Sequence, residues 1–269
     1  MSEPACELDE APLALSCPNH LISQKFARLA VVLCFAVKKI VLLAVLLTAT
    51  IPAIAMEKTD RVEIPHVKTE IDVSAYDDNI WSYARHIEID TYWSGEIAPQ
   101  TRRIDARLLW SNTALYVRFA AEQHEPLVVS DTPDLRKKVR GLWDRDVCEI
   151  FIAPDRSTPN KYFEFEVAPT GEWIDLGIEV TPDKRLTDRD YASGMEAFAK
   201  VDADKVFEVI KVPFKALGRT PKVGDVWLGN LFRCIGKGST RGYLAWRPTR
   251  TKEPSFHVPS AFGEFEFID

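Results

Sequence analysis

Apolar residues recur along this chain with a period of two, and that period constrains the fold more than any other feature. Ile104, Ala106, Leu108 and Trp110 share one parity, and after Ser111-Asn112-Thr113 the residues Leu115, Val117 and Phe119 share another. Successive strand side chains point to opposite sides, so the pattern predicts a hairpin with one buried face. Val147 to Ile152 is apolar except at Glu149 and reads as a central strand. Phe163, Phe165 and Val167 alternate with Tyr162, Glu164 and Glu166. After Pro169-Thr170-Gly171, Ile174, Leu176, Ile178 and Val180 alternate with Trp173, Asp175 and Glu179. Further strands are expected at Val206–Val212, Val226–Arg233, Tyr243–Trp246 and Glu264–Ile268, and short helices near Asp77–Ala84 and Thr132–Val139, where Pro133 suits a first turn. No sustained 3.6-residue period competes. The expected fold is all-β, an antiparallel, jelly-roll-like β-sandwich with short peripheral helices, in one domain.

The N-terminal region reads differently. Leu29 to Ile51 is long enough for a membrane span, but Lys38 and Lys39 near its middle would each cost about 2.5 to 3.5 kcal/mol on an insertion scale. From Val37 onward the same residues form a basic start, an apolar stretch from Ile40 to Ile51 and a small-residue exit at Ala53-Ile54-Ala55, the layout of a secretory signal peptide. Residues 1–36 then read as a misassigned extension, 37–55 as the leader and 56–269 as the mature domain, secreted or periplasmic and free of any membrane span. Cys6, Cys17 and Cys34 precede the cleavage point, and no lipid-attachment cysteine follows the apolar stretch. Cys148 and Cys234 remain, each in an apolar run, and are expected to be buried free thiols.

Charge and motifs exclude several chemistries. Thirty-four Lys and Arg against forty Asp and Glu give a net charge of −6, which offers a phosphate backbone no cationic field, so nucleic acid is not an expected partner. The chain has no Gly-x-Gly-x-x-Gly, P-loop or Gly-x-Ser-x-Gly motif. Its histidines lack metal-ligand spacing. Asp144 and Asp146 offer oxygen to a hard cation, but without a glycine turn and a bidentate partner they do not define a site. Glu164 and Glu166 are an i, i+2 carboxylate pair with two readings, a solvated strand face or an acid/base pair. Trp143, between Gly141 and Asp144-Arg145-Asp146, is a large ring in a polar loop and the best candidate for stacking on a sugar.

Three blocks bear a family likeness. Leu142-Trp143-Asp144-Arg145-Asp146-Val147-Cys148-Glu149-Ile150-Phe151-Ile152 resembles the Trp-x-x-Asp-x-Val-Glu-x-Phe segment of the family 9 carbohydrate-binding modules. Val206 to Phe214 is similar to their strand ending in Ile-Pro-Phe. Ala245-Trp246, with Phe256-His257-Val258-Pro259-Ser260-Ala261-Phe262-Gly263, resembles their C-terminal tryptophan loop and Phe-His-x-Pro-x-x-Phe-Gly signature. The resemblance implies a non-catalytic sandwich, acting as a monomer in polysaccharide degradation, that grips the ends of xylan- or glucan-derived chains between two aromatic rings. It makes Trp143 one wall, Glu149 a hydroxyl acceptor and Phe256, in place of the family's second tryptophan, the other wall. Trp246 and His257 accompany them. An arginine expected on the Tyr162–Val167 strand is replaced by Glu166, leaving Arg233 or Arg247 to compensate. No cofactor is implied, and the residues do not locate the family's Ca²⁺ sites.

Strand parity adds a second expectation, that Tyr162, Glu164, Glu166, Trp173 and Asp175 share one polar face bordering the site. Two rival readings stand beside the binding module: a glycoside hydrolase using Glu164 and Glu166, and a haem b domain using Met195 and His257. If Val37 is the true first residue, peptide mass spectrometry of the native protein is expected to find no peptide from residues 1–36, and abundant peptides from that region would refute the reading.

Overall fold

The computed structural model describes residues 60–269, so the extension and leader read from residues 1–55 lie outside the described residues. The strands are β1 (Arg61–Pro65), β2 (Ile87–Ile89), β3 (Ile104–Trp110), β4 (Ala114–Glu122), β5 (Val147–Ala153), β6 (Lys161–Val167), β7 (Trp173–Val180), β8 (Arg185–Asp188), β9 (Glu196–Asp202), β10 (Lys205–Pro213), β11 (Val226–Ile235), β12 (Gly242–Ala245) and β13 (Gly263–Ile268). They form an eight-stranded sheet, ordered β1-β13-β11-β5-β6-β7-β8 with β12 also on β11, and a five-stranded sheet ordered β2-β3-β4-β10-β9. The β1–β13 pair is parallel, and the central pairs are antiparallel.

The two sheets close over one interior. Ile150, Ile152, Phe165 and Val167 of the larger sheet meet Val117, Phe119, Ile210 and Val212 of the smaller one in a single apolar cluster. Each sheet is also covered outside. Val67, Ile71, Trp81 and Ala84 pack onto Leu109, Tyr116 and Val209 of the smaller sheet. On the larger sheet, Leu142 and Phe256 pack with Phe151, Tyr162, Ile174, Leu176 and Phe232. Every residue of β5 is therefore buried, which is why its sequence is apolar almost throughout rather than alternating. Gly229 on β11 has no room for a side chain, since a Cβ there would collide with the Phe265 ring and the Phe151 carbonyl oxygen.

Of the two short helices expected, one forms and one does not. The segment near Asp77–Ala84 does hold a single 3-10 turn, Asn79–Tyr83, started by Asp78 accepting the Ile80 N–H at 2.8 Å. Residues 132–139, by contrast, are turns and bends. Asp134 there accepts the Arg136 backbone N–H at 3.2 Å and its Nε–H at 2.9 Å, a local closure that competes with helix formation. Cys148 and Cys234 are both buried free thiols. They lie on opposite faces of the larger sheet, one in the interior and one under the outer cover, so they cannot bridge.

The interior holds charge at one end. Arg233 of β11 crosses to the other sheet and donates to the carbonyl oxygens of Arg102 at 3.0 Å and Glu122 at 2.7 Å, and to Gln123 Oε1 at 2.5 Å. It is a fastener between sheets, which corrects its assignment as a sugar contact. Nearby Glu208 is 1% exposed, and burial raises its pKa to about 8, opposed by Cys148 and Arg233 and reinforced by Asp146. An unfolded glutamate titrates near 4.3, so stability is full below about pH 4 and is lost as pH climbs through the folded value. Glu208→Gln carries no charge at any pH. Its melting temperature is expected to gain on the wild type progressively between about pH 5 and pH 8, and a constant difference across that range would contradict the assignment.

Candidate functional site

A pocket of about 270 Å³ opens on the outer face of the eight-stranded sheet. Its floor comes from β5, β6, β7 and β11, through Glu149, Phe151, Glu164, Leu176, Ile178 and Cys234. Trp143 and Asp144 stand on one side, Arg185, Thr187 and Arg189 on another, and Tyr243 with residues 254–257 closes it. The same outer cluster that hides Phe151 and Tyr162 thus leaves an opening where the loops part.

Trp143 is the exposed ring of this rim. It lies in the 3-10 turn Leu142–Asp144, entered through Gly141 at φ 79°, and is 37% exposed while its neighbour Leu142 is buried. Arg241 holds the turn: its guanidinium donates to the carbonyl oxygens of Trp143, of Arg145 at 3.0 Å and of Gly236 at 3.0 Å, and it lies 5.1 Å from the Tyr243 ring centre. Phe256 borders the pocket too but is only 8% exposed, stacked on Phe232 with centroids 4.1 Å apart and planes 12° from parallel. That corrects the expectation of two loop rings outside the core, because one face of Phe256 is already committed to the fold. His257 packs on Phe151, and its Nδ1 shares a hydrogen bond of 2.8 Å with the Tyr162 hydroxyl. Burial, then Arg185, lowers its pKa to about 3, so the ring is neutral.

Beneath the aromatic rim lie three carboxyl groups. Glu149 on β5 is directly opposite Glu166 on β6, and Glu164 follows two residues earlier on the same strand face. Oxygens of all three lie within 4.8 Å of one another. The three are 2%, 3% and 0% exposed for Glu149, Glu164 and Glu166. This is no solvated strand face. Burial, followed by the neighbouring carboxylates, pushes Glu149 and Glu166 well above the usual range, and burial also raises Glu164. Glu149 accepts the Cys234 thiol at 3.5 Å.

The structure brings Trp143, Glu149, Glu164, Phe256 and His257 together around the pocket, with Glu166 just below. It separates others. In the β6–β7 register Glu166 faces Ile174 and Glu164 faces Leu176, while Val167 faces Trp173 and Phe165 faces Asp175. Trp173 and Asp175 therefore belong to the inner face, correcting the shared polar face; Asp175 is tied there to Lys138 at 2.5 Å and to Ser193. A one-residue difference in register is enough to reverse a strand's faces. Trp246, likewise expected at the site, is buried between the sheets and stacks on Phe265 at 5.7 Å. Asp146 accepts the backbone N–H groups of Val128 at 3.0 Å and Gly236 at 2.7 Å, so it fastens loops rather than joining Asp144 around a cation. Met195 lies in the interior, across the sheet from His257, so the two cannot ligate one haem. Sequence reasoning missed Arg185, Thr187 and Arg189 on the short edge strand β8 and beyond it, and missed Tyr243 and Arg241. A basic, aromatic-poor edge segment carries no pattern that would have singled it out.

The sequence profile of the carbohydrate family 9 binding domain-like family matches residues 71–269. No curated protein matches the sequence. Among solved structures, a protein of Bacteroides uniformis whose proposed activity is carbohydrate binding is similar at 15% identity and a TM-score of 0.62, covering 77% of this chain and 98% of that one. A family 9 carbohydrate-binding module of Caldicellulosiruptor kristjanssonii is similar in its complex with cellotriose, at 16% identity, a TM-score of 0.56 and 77% and 93% coverage. Its complex with glucose aligns at 17% identity, a TM-score of 0.55 and 77% and 95% coverage. At these identities the structural likeness speaks for the shared sandwich, and the profile, spanning all but the first strand of the described domain, establishes that the chain belongs to the family 9 carbohydrate-binding domains.

Proposed function

We propose that this chain is an exported, non-catalytic carbohydrate-binding protein that takes the end of a glucan- or xylan-type chain in the pocket on the outer face of the eight-stranded sheet. The observation that carries the reading is Trp143, a 37% exposed indole fixed by Arg241 at the mouth of a pocket floored with carboxyl groups. Pyranose rings present C–H faces that stack on such a ring, and their hydroxyls need acceptors within reach. Glu149 and Glu164 are acceptors on the floor, and Arg185, Thr187 and Arg189 are donors on one wall. A pocket closed on the floor and sides suits a chain terminus better than the middle of a polymer. The leader read from residues 37–55 supplies the route to the periplasm or beyond, where such polymers are met.

Cello- and xylo-oligosaccharides are the probes for calorimetry. Trp143→Ala is expected to weaken binding at least tenfold, equivalent to about 1.4 kcal/mol, while moving stability by no more than about 0.5 kcal/mol because the ring is exposed. Phe256→Ala is expected to differ in kind, costing about 3 to 5 kcal/mol of stability through loss of a buried, stacked ring. Undiminished binding by Trp143→Ala would overturn the site, and release of shorter sugars by the wild type would overturn the non-catalytic reading.

A further inference from the structure

We infer that Glu149, Glu164 and Glu166 form a binding site for one hard divalent cation, Ca²⁺ by preference, on the floor of the pocket. The argument starts from register. Glu149 and Glu166 are a directly opposed pair on neighbouring antiparallel strands, the position at which like charges destabilise a sheet, and Glu164 adds a third carboxyl on the same face. Neither oxygen of Glu166, which is 0% exposed, accepts from a donor group of another residue type among the described residues, nor does Glu164 Oε2; the two carboxyls stand within hydrogen-bonding reach only of each other. Arg241 and Arg185 act on the group through space without an ion pair among the described residues, and the neutral His257 ring holds its Nε2 3.9 Å from Glu164 Oε2. Buried carboxylates left without a donor or counter-charge are costly, and the geometry supplies the remedy.

The oxygens are spaced for an ion between them. Ca²⁺ holds oxygen at about 2.3 to 2.6 Å, so two of its ligands lie at most about 4.6 to 5.2 Å apart. The three oxygens, all within 4.8 Å of one another, fit inside that span. Mg²⁺, at about 2.0 to 2.1 Å, demands a stricter octahedron. All three ligands are oxygen and none is nitrogen or sulfur, which favours a hard ion over zinc or copper. Glu166 seals the site from below, whereas Glu149 and Glu164 line the pocket, so the ion's remaining positions point to where a ligand would enter.

The test uses the whole purified protein after exhaustive chelation, titrated without sugar so that its outcome is independent of the glycan result. Calorimetry with Ca²⁺ is expected to give one site per chain, with a rise in melting temperature on addition of Ca²⁺ and a smaller rise with Mg²⁺. Glu166→Gln keeps the shape and relieves repulsion, so it is expected to fold, melt higher than the metal-free wild type and bind Ca²⁺ at least tenfold more weakly. Glu149→Gln, on the adjacent strand, is expected to show the same loss of binding. Absence of heat and of any thermal shift up to about 1 mM Ca²⁺, the weak end for extracellular modules, would overturn the site, as would full-strength Ca²⁺ binding by both variants.

Discussion

Strand β5 is buried on both faces, and the rest of the molecule is arranged around that fact. Its inward side chains, Ile150 and Ile152, help close the sandwich, and its outward ones, Glu149 and Phe151, floor the pocket. A strand covered on both sides cannot shift register without moving residues in two apolar clusters at once, so the positions of Glu149 and Phe151 are fixed by the stability of the whole domain. Neighbouring β6 and β11 inherit the same constraint through their pairings with β5. The floor of the site is thus built on strands held from both faces, with Trp143, Asp144, Arg189 and residues 254–257 of its rim drawn from turns and loops.

That rigidity sets up an opposition of forces. Burial of the outer cluster stabilises the fold, yet the same cluster strips water from three carboxyl groups held within 4.8 Å of one another. Desolvation and mutual repulsion both favour protonation or a bound cation over free negative charge. A hydroxyl-rich ligand would meet acceptors on which the protein spends only one weak donor, the Cys234 thiol. The interior shows the opposite arrangement. Arg233 is buried as deeply, but its guanidinium is spent on two carbonyl oxygens and Gln123, which ties the sheets and leaves little for chemistry.

Much of this was legible in the alternation of apolar residues. The hairpin of β3 and β4, the double burial of β5, and the presence of strands β6, β7, β10, β11 and β13 all follow from it, because each carries a run or an alternation of bulky apolar residues. What alternation cannot reveal is which parity of β7 shares a face with which parity of β6. Both parities of β7 carry large apolar groups, Trp173 on one and Ile174, Leu176 and Ile178 on the other, since both faces are covered. Strands β8 and β9 escaped notice as edge strands with exposed, charged residues. Trp143 was legible from its polar setting, and Glu149 only through the family resemblance of the segment that holds it. Arg233 and Trp246 misled for a common reason: a buried polar fastener and a buried ring look in sequence like site residues, and only packing separates them.

The central claim is that a glycan end seats against Trp143 in the pocket on the outer face of the eight-stranded sheet. The chain has seven tryptophans, of which Trp81, Trp110, Trp227 and Trp246 are buried at other places in the fold. Their indole N–H resonances can be followed together in an NMR titration with a cello-oligosaccharide. The account predicts a saturable shift of the Trp143 resonance, with the resonances of those four buried indoles unmoved. A stationary Trp143 alongside shifts at Trp81, on the outer face of the other sheet, would contradict it.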